Sequence, residues 1–265
     1  MSAKILLQKY LYPGLDIAAL IGWGALLLKY SVNGQLKLLI HPNYFLLVTV
    51  TGAVLVVLGI FQIWIFLKEI KKKTAPQSLE HISLLPPALS SGLLVLAALS
   101  GIIFTPAPLT AQMALQRGVS ESLPPTRVQA QSFAATVKPE DKSLIEWVRT
   151  LNAYPEPDAY TGQKAKVTGF VVHLPGLPNN YVLLSRFILT CCAVDAYPVG
   201  LPVKLPGSRQ SYPPDSWLEI DGEMITQTLP VEPQQMSQSA PNRRQLVIKA
   251  ENVKPIPTPS DPYGY

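Results

Sequence analysis

The sequence predicts N-terminal transmembrane α-helices, two to three in number, followed by a small, mostly-β domain. Three observations support this fold class. Of the 265 residues, 48% are hydrophobic and only 15% are charged, whereas soluble domains carry about 25% charged residues. Long apolar segments lie before residue 105, and about five short strand-like segments, separated by Pro and Gly, follow residue 160. We therefore expect a membrane-attached protein with a separate water-exposed part.

The apolar segments predict a transmembrane helical region over residues 1–104, with spans near 11–30, 44–67 and 84–104. The second segment has 24 uncharged residues, and a helix needs about 20 apolar residues to cross a bilayer. The first segment contains Asp16. A carboxylate inside a membrane is a functional candidate, and an acid at the headgroup level is the alternative. Cleavage of this segment as a signal peptide also stays open.

Lysines near the apolar segments predict the orientation of the chain. If three segments cross the membrane, the N-terminal tail and the second loop share one side. They carry six lysines, against two in the first loop: Lys4, Lys9, Lys68, Lys71, Lys72 and Lys73, against Lys29 and Lys37. The positive-inside rule then places the N-terminus in the cytoplasm. We expect a multi-pass protein of the inner (plasma) membrane, with everything after Phe104 outside the cytoplasm.

The third segment is rich in small residues, which let a neighbouring helix approach closely. These residues are Ser90, Ser91, Gly92, Ala97, Ala98, Ser100 and Gly101. They favour packing against another helix, and simple tolerance of lipid is the alternative.

The rest of the chain predicts a tether, a domain and a tail. Residues 105–138 are rich in Pro, Ala, Ser, Thr and Gln, which predicts an extended linker. Residues 139–256 predict an extracytoplasmic domain, with a helix beginning near Pro139, and residues 257–265 a polar tail. The expected strands cover 163–173, 181–190, 199–204, 217–225 and 245–256. An antiparallel OB-like barrel is favoured because closure removes exposed sheet edges, and a small sandwich is the alternative.

Charge is distributed unevenly along the chain. Residues 1–138 hold 11 Lys and Arg against four acids, and residues 139–265 hold 11 against 13. The basic residues therefore lie around the predicted membrane segments, where lipid headgroups attract them. Because nucleic-acid binding needs clustered cations, the mildly acidic domain argues against a nucleic-acid partner.

The two cysteines of the chain are adjacent, Cys191 and Cys192, and Asp195 follows three residues later. These three residues are the candidate ligand-binding and metal-ligating residues, and a soft metal ion such as zinc is the candidate cofactor. In an extended strand neighbouring side chains point to opposite faces, so both thiols reach one ion only where the strand kinks. A structural zinc site needs four ligands, so this one would borrow ligands from a partner.

Two other interpretations of the cysteines stay open. One cysteine can pack in the core as a small hydrophobe while the other is incidental. Alternatively, the pair can cycle between a dithiol and a strained disulfide, because consecutive Cα atoms lie about 3.8 Å apart, below the usual disulfide range. His173 is a weaker candidate ligand, at the end of a strand. The sequence carries none of the common hydrolase, zincin, P-loop or dinucleotide motifs, so we expect no catalytic residues and no enzyme activity.

Four segments carry a family resemblance: TPAPLT, YTGQKAKVTGFVV, SRFILTCCAVDAYPVGLPV and WLEIDGEM. In this order, after N-terminal hydrophobic helices, they resemble the YcgQ-like family of uncharacterised bacterial membrane proteins. Members of that family are described as subunits of a two-component permease complex. The resemblance covers most of the chain and implies a membrane permease partner of the YcgR or YraQ type.

These observations lead to two functional hypotheses. The first is an accessory subunit of a permease complex, whose OB-like domain binds or gates a small solute or metal ion. The second is a redox-sensing or thiol-exchange membrane protein that uses the vicinal cysteine pair. A purely structural domain is a third, plainer option.

Overall fold

The computed structural model of the protein describes residues 10–72, 87–119, 138–230 and 242–265. Contacts within the chain divide it into two units, Met1–Ala107 and Pro108–Tyr265. In the described ranges the first unit consists of apolar helices and the second of a mixed sheet with two further helices. Several predicted features lie outside these ranges: Lys4, Lys9, Lys73, the start of the third apolar segment and most of the predicted linker.

The first unit contains three α-helices among the described residues. They are α1 (Tyr12–Val32), α2 (Phe45–Lys72) and α3 (Pro87–Ile103). Two stretches are long and apolar enough to cross a membrane, Tyr12–Val32 and Pro42–Ile70. The third helix is apolar over Leu89–Ile103, which is shorter than the about 20 residues of a full span. The sequence thus predicted all three helices, and two of them have spanning length.

Helices α1 and α2 pack in antiparallel directions. Near the end of α1, the Ser31 hydroxyl hydrogen-bonds the Thr49 hydroxyl near the start of α2, at 2.7 Å. Further along, a Cβ atom added to Gly24 would lie 2.9 Å from the carbonyl oxygen of Gly52. The two backbones come this close because both positions are glycine.

Helices α1 and α3 run in the same direction. Near their starts, the Ser91 hydroxyl donates to the Asp16 carboxylate. Near their ends, the Lys29 ammonium donates to the carbonyl of Ile102 at 2.7 Å. Contacts therefore pair start with start and end with end. The first unit is an up-down-up arrangement in which the first and third helices point the same way.

Small residues of α3 are used in this packing. Ala98 is buried, and a Cβ atom added to Gly22 of α1 would lie 3.4 Å from the Ala98 Cβ. The Gly101 carbonyl accepts a hydrogen bond from the Tyr30 hydroxyl at 2.6 Å. The helix packing predicted for the small residues thus occurs for Ser91, Ala98 and Gly101, within the chain itself and against α1.

The second unit is built on a sheet of six strands. They are β1 (Lys164–Val172), β2 (Tyr181–Ile188), β3 (Tyr197–Lys204), β4 (Trp217–Pro230), β5 (Asn242–Ile256) and β6 (Tyr263–Gly264). The strand order is β1-β4-β5-β3-β2-β6, and β1 also pairs with β2. Every strand from β1 to β5 therefore has at least two pairing partners. The five predicted strands are all present.

Two glycines lie where the pairing of the strands changes. Strand β1 pairs with β4 up to Phe170 and with β2 from Phe170 onward. The preceding Gly169 lies at this change of partner, and a Cβ atom there would approach the Ser185 carbonyl oxygen to 2.7 Å. In β4 the pairing register with β5 shifts between Asp221 and Gly222. Both glycines thus permit local bends that strongly curved sheets require.

The expectation of a wholly antiparallel sheet is wrong. Strand β3 pairs with β5 in parallel, and β2 pairs with β6 in parallel. Strand β6 also lies within 257–265, which the sequence suggested to be a polar tail. Tyr263 is buried, with only 3% of its surface exposed, because β6 adds to the sheet next to β2.

Helix α4 (Ala111–Arg117) lies within the predicted linker 105–138. It belongs to the second unit, which starts at Pro108, and the Thr110 side chain caps its N-terminus by accepting from the Met113 amide. The part of the predicted linker that contains α4 is therefore an ordered part of the second unit. Residues 120–137 lie outside the described residues.

Helix α5 (Leu144–Ala153) begins later than the sequence pattern suggested. Pro139–Asp141 forms a single 3₁₀ turn, and Ser143 then caps the α-helix. The Ser143 hydroxyl accepts from the Glu146 amide at 3.2 Å, and the Glu146 carboxylate accepts from the Ser143 amide at 2.7 Å. This capping box fixes the start of the helix. Its apolar face, with the fully buried Trp147, packs into the core of the domain.

Candidate functional site

Cys191 and Cys192 lie in the loop that connects the end of β2 at Ile188 to the start of β3 at Tyr197. The chain has left the extended conformation here, so the alternation of a strand does not separate the two side chains. The two Sγ atoms lie 3.6 Å apart, and both cysteines are free thiols. The kink that a shared site requires is therefore present.

Asp195 organises this loop. Its carboxylate accepts hydrogen bonds from the backbone amides of Cys191 at 2.9 Å, Cys192 at 3.2 Å and Thr190 at 3.3 Å. The Asp195 amide in turn donates to the Cys192 carbonyl at 3.1 Å. An Asp side chain that binds nearby backbone amides in this way stabilises a tight turn. Asp195 thus folds the loop back so that its carboxylate lies beside the two thiols.

The three residues singled out in the sequence come together. One ligand atom from each of Cys191, Cys192 and Asp195 lies within 4.8 Å of the others. Cys191 is exposed, while Cys192 and Asp195 are half-buried. Val194, at the tip of the loop, is 85% exposed. The cluster is therefore preorganised by the backbone and accessible from solvent.

Hydrogen bonds in the cluster shift its acidities. The pKa of Cys191 is raised to about 11, first by the hydrogen bond to Asp195 and then by the contact with Cys192. Partial burial acts to raise the pKa of Asp195, but hydrogen bonds from the Cys191 thiol and the loop amides outweigh it, and this pKa is lowered. The resting state is therefore a protonated Cys191 thiol beside an ionised carboxylate.

The spacing of the sulfurs fits a tetrahedral metal ion. Two thiolates about 2.3 Å from one ion lie about 3.8 Å apart when the geometry is tetrahedral and about 4.6 Å apart when it is linear. The observed 3.6 Å between the Sγ atoms agrees with the tetrahedral case. With the Asp195 carboxylate, the chain offers three ligands of the types that zinc accepts. Cys191, Cys192 and Asp195 would hold the ion, and a fourth position would stay open.

Two contacts that hold this loop were not found from the sequence. One Nη atom of Arg117, at the end of α4, donates to the carbonyls of Ala193, at 3.2 Å, and Ala196. At the base of the loop, the Leu189 amide donates to the Gly264 carbonyl of β6 at 3.0 Å. Neither contact has a sequence motif, because both join segments far apart in the chain.

The weaker candidates have other local roles. A ring nitrogen of His173 lies 2.8 Å from the Tyr212 carbonyl oxygen, so His173 ties two loops of the domain together. Asp16 accepts from Ser91 within the helical unit. Among the described residues, the structure does not bring either residue into the cysteine cluster.

Comparison with protein families identifies the chain. The family model described as the DUF1980 N-terminal domain matches residues 15–120, and the one described as the DUF1980 C-terminal domain matches residues 125–265, more than half of the chain. The chain belongs to the DUF1980 family. No curated protein and no solved structure matches this DUF1980 chain. The boundary between the two DUF1980 matches falls after α4, so that this helix is matched with the N-terminal family domain although it packs in the second unit.

Proposed function

We propose that this DUF1980 protein is the accessory subunit of a membrane permease complex, and that its β domain binds a thiophilic divalent metal ion such as zinc. The observation that carries the proposal is the cluster of Cys191, Cys192 and Asp195, whose ligand atoms lie within 4.8 Å of one another on an exposed loop. An open fourth position makes such a site suited to accepting and releasing an ion rather than to holding it permanently. The role is binding, with no catalytic step.

Ion binding at this site exchanges protons for metal. Thiols bind metal as thiolates, so a divalent ion displaces one proton from each of Cys191 and Cys192, and both protons pass to solvent. Loss of the Cys191 proton also removes the hydrogen bond to Asp195. That frees a carboxylate lone pair on the side of the thiols, while the loop amides continue to hold the carboxylate in place.

We also propose that strands β1–β5 form an OB-like barrel. Support comes from the pairing sequence β1-β2-β3-β5-β4 together with the pairing of β4 with β1. Strand β6 lies outside this circuit as an addition to β2. In such a barrel the cysteine loop joins two neighbouring strands at one end, where loops are free to bind ligands.

The proposed orientation places the β domain outside the cytoplasm of the cell. The proposal takes α3 as a third crossing, and the common direction of α1 and α3 supports it, because three crossings would put the N-terminus and the domain on opposite sides of the membrane. The lysine bias agrees with this, since Lys68, Lys71 and Lys72 follow the apolar part of α2.

Labelling of Cys191 and Cys192 tests this orientation directly, because they are the two cysteines of the chain. A membrane-impermeant maleimide should label them in spheroplasts and not in sealed inside-out vesicles, whereas the reverse pattern contradicts this orientation.

The permease partnership rests on the family resemblance and on the surface of α2. Three small residues of α3, Ser91, Ala98 and Gly101, contact helix α1, so these three leave lipid or a partner to other surfaces of the helical unit. Large apolar side chains are exposed along α2: Leu46, Val50, Val54, Val57, Phe61 and Trp64. We propose that this face contacts the bilayer and a permease of the YcgR or YraQ type.

Two measurements test the proposal. Co-expression with a permease of the YcgR or YraQ type should allow both chains to be purified together in mild detergent, and recovery of this chain alone contradicts the subunit role. Elemental analysis should find zinc in the wild type and in Asp221→Asn, which changes a half-buried carboxylate of β4 outside the site. The double variant Cys191→Ser/Cys192→Ser should lose it, and equal zinc in all three contradicts the metal site.

Redox or thiol exchange by the same cysteines is the second candidate. It is favoured by the two free thiols, whose sulfurs lie 3.6 Å apart. The reactive form in exchange is the thiolate, and a Cys191 pKa of about 11 leaves this thiol protonated near neutral pH. A metal ion displaces the thiol proton when it coordinates the sulfur, whereas exchange needs a thiolate that is already present. The raised pKa of Cys191 therefore fits the metal-binding proposal better. A thiol count that reversibly changes by two without any metal would favour the redox alternative.

A further inference from the structure

The segment that follows α3 is fixed to the β domain at both ends of α4. At its start, the Leu109 amide donates to the Tyr263 hydroxyl at 2.9 Å, and the Ala111 amide donates to the Asp215 carboxylate. At its end, Arg117 donates to the carbonyls of two residues of the cysteine loop. Helix α4 is thus held by the domain and not only by its own backbone.

Both attachments lead to the cysteine loop. Arg117 binds the carbonyls of Ala193 and Ala196, which flank Asp195 on the two sides of the loop. Tyr263, which holds the start of the segment, precedes Gly264, whose carbonyl accepts from the Leu189 amide at the base of the loop. A change in the conformation of the loop therefore reaches α4 through short, direct contacts.

The contacts of Arg117 depend on the shape of the cysteine loop. The Arg117 contacts require the carbonyls of Ala193 and Ala196 to point toward one guanidinium at the same time. This arrangement depends on the turn that Asp195 imposes on the loop.

We propose that Arg117 is a positioning residue of the metal site and that it couples occupation of the site to the docking of α4 on the β domain. This inference rests on the proposed metal binding. An ion that draws Cys191, Cys192 and Asp195 together fixes the loop, aligns its two carbonyls and holds Arg117. By thermodynamic linkage, an α4 that is already docked increases the affinity of the loop for the ion by the same factor.

The structure offers a matched control for Arg117. Arg209 also uses a single Nη atom to bind two carbonyls of one loop, those of Leu174 at 3.2 Å and Leu177 at 3.4 Å. It lies in the same domain, and its contacts are to a different loop from the cysteines. Replacement of either arginine by Met removes a comparable pair of hydrogen bonds and keeps an extended apolar side chain.

The test uses the full chain in lipid nanodiscs, with zinc as the ligand. In the wild type, zinc should slow hydrogen exchange of the α4 amides. Arg117→Met should bind zinc at least fivefold more weakly, and zinc should no longer slow the exchange of its α4 amides. Arg117→Lys should recover most of the affinity, because an ammonium can also bridge two carbonyls. Arg209→Met should match the wild type in both measurements. Wild-type zinc binding with no change in α4 exchange, or equal affinity in Arg117→Met, overturns the coupling alone. Absence of zinc binding by the wild type overturns the proposed function as well.

Discussion

The carboxylate of Asp195 accepts a hydrogen bond from the backbone amide of Cys191 at 2.9 Å, and it also accepts from the Cys191 thiol. One side chain therefore folds the loop and sets the acidity of its neighbour. The folding role precedes any ligand, because the amide contacts are present in the isolated chain. The effect on acidity gives the first prediction.

Replacement of Asp195 by Asn should lower the pKa of Cys191 from about 11 toward its ordinary value of 9.0, because the neutral amide is a weaker acceptor for the thiol and carries no charge that opposes thiolate formation. A fall of two units raises the thiolate fraction near neutral pH by roughly 100-fold. The pH dependence of iodoacetamide alkylation in a Cys192→Ser background measures it. Asp221→Asn is the control, and an unchanged Cys191 profile in Asp195→Asn would show that this hydrogen bond does not set the acidity.

Zinc affinity should rise with pH across the neutral range. Below its pKa of about 11, Cys191 carries a proton that the metal must displace, and each unit of pH makes this displacement about tenfold easier. The dependence therefore extends up to about pH 11 and is lost above it. Calorimetry in buffers of different ionisation enthalpy counts the protons released. An affinity that is constant between pH 6 and pH 8 would mean that Cys191 does not bind as a thiolate.

Trp147→Ala should destabilise the β domain by about 3–5 kcal/mol, the usual cost of truncating a large buried aromatic side chain. Trp147 has no exposed surface, and its ring makes an edge contact with Tyr160, with centroids 6.1 Å apart. Trp147→Phe keeps most of the packing and should cost less. Urea unfolding of the detergent-solubilised chain, followed by circular dichroism, measures both. Equal stability of Trp147→Ala and the wild type would contradict the packing of α5 on the sheet.

Cysteines at Ser31 and Thr49 should form a disulfide under mild oxidation, in a chain whose native cysteines are replaced by Ser. The two hydroxyls lie 2.7 Å apart, and the antiparallel packing of α1 and α2 keeps these positions together. A pair at Ser31 and Phe66 is the control, because Phe66 lies 17 positions further along the helix, or about 25 Å at 1.5 Å per residue. Mobility of the cross-linked chain on a gel shows the result, and preferential cross-linking of the control pair contradicts the packing.

The sequence predicted those parts of the fold that local patterns specify. Apolar runs identified the three helices, and residue alternation identified β1 to β5. The bend at Gly169 also has a local signal, because a glycine within an apolar strand indicates a close backbone approach. The start of α5 was readable from Ser143 and Glu146 as a capping box, but the acids after Pro139 suggested an earlier start.

The remaining parts depend on contacts between distant segments. Strand β6 has only two residues, Tyr263 and Gly264, too few for any alternation to show. Helix α4 has seven residues within a Pro-rich stretch, and its docking through Arg117 has no local signal. The parallel pairing of β3 with β5 is likewise a property of topology rather than of residue pattern.

The candidate site was predictable in its members and not in its geometry. The adjacent cysteines and the nearby Asp195 were identified as candidate ligands from the sequence. Their convergence depends on where β2 ends and on hydrogen bonds from backbone amides to Asp195. The order of side chains in the sequence does not reveal either feature. Only the three-dimensional path of the loop shows that the carboxylate binds its own turn.

Cobalt titration of the reduced full chain is the most direct test of metal binding by Cys191 and Cys192, because Co²⁺ substitutes for zinc and reports its ligands by absorption. We expect one equivalent of cobalt to bind, with a sulfur-to-cobalt charge-transfer band and the visible bands of a tetrahedral ion. Both sets of bands should disappear in Cys191→Ser/Cys192→Ser and persist in Asp221→Asn. A wild-type spectrum without the charge-transfer band would contradict metal binding by the two thiols.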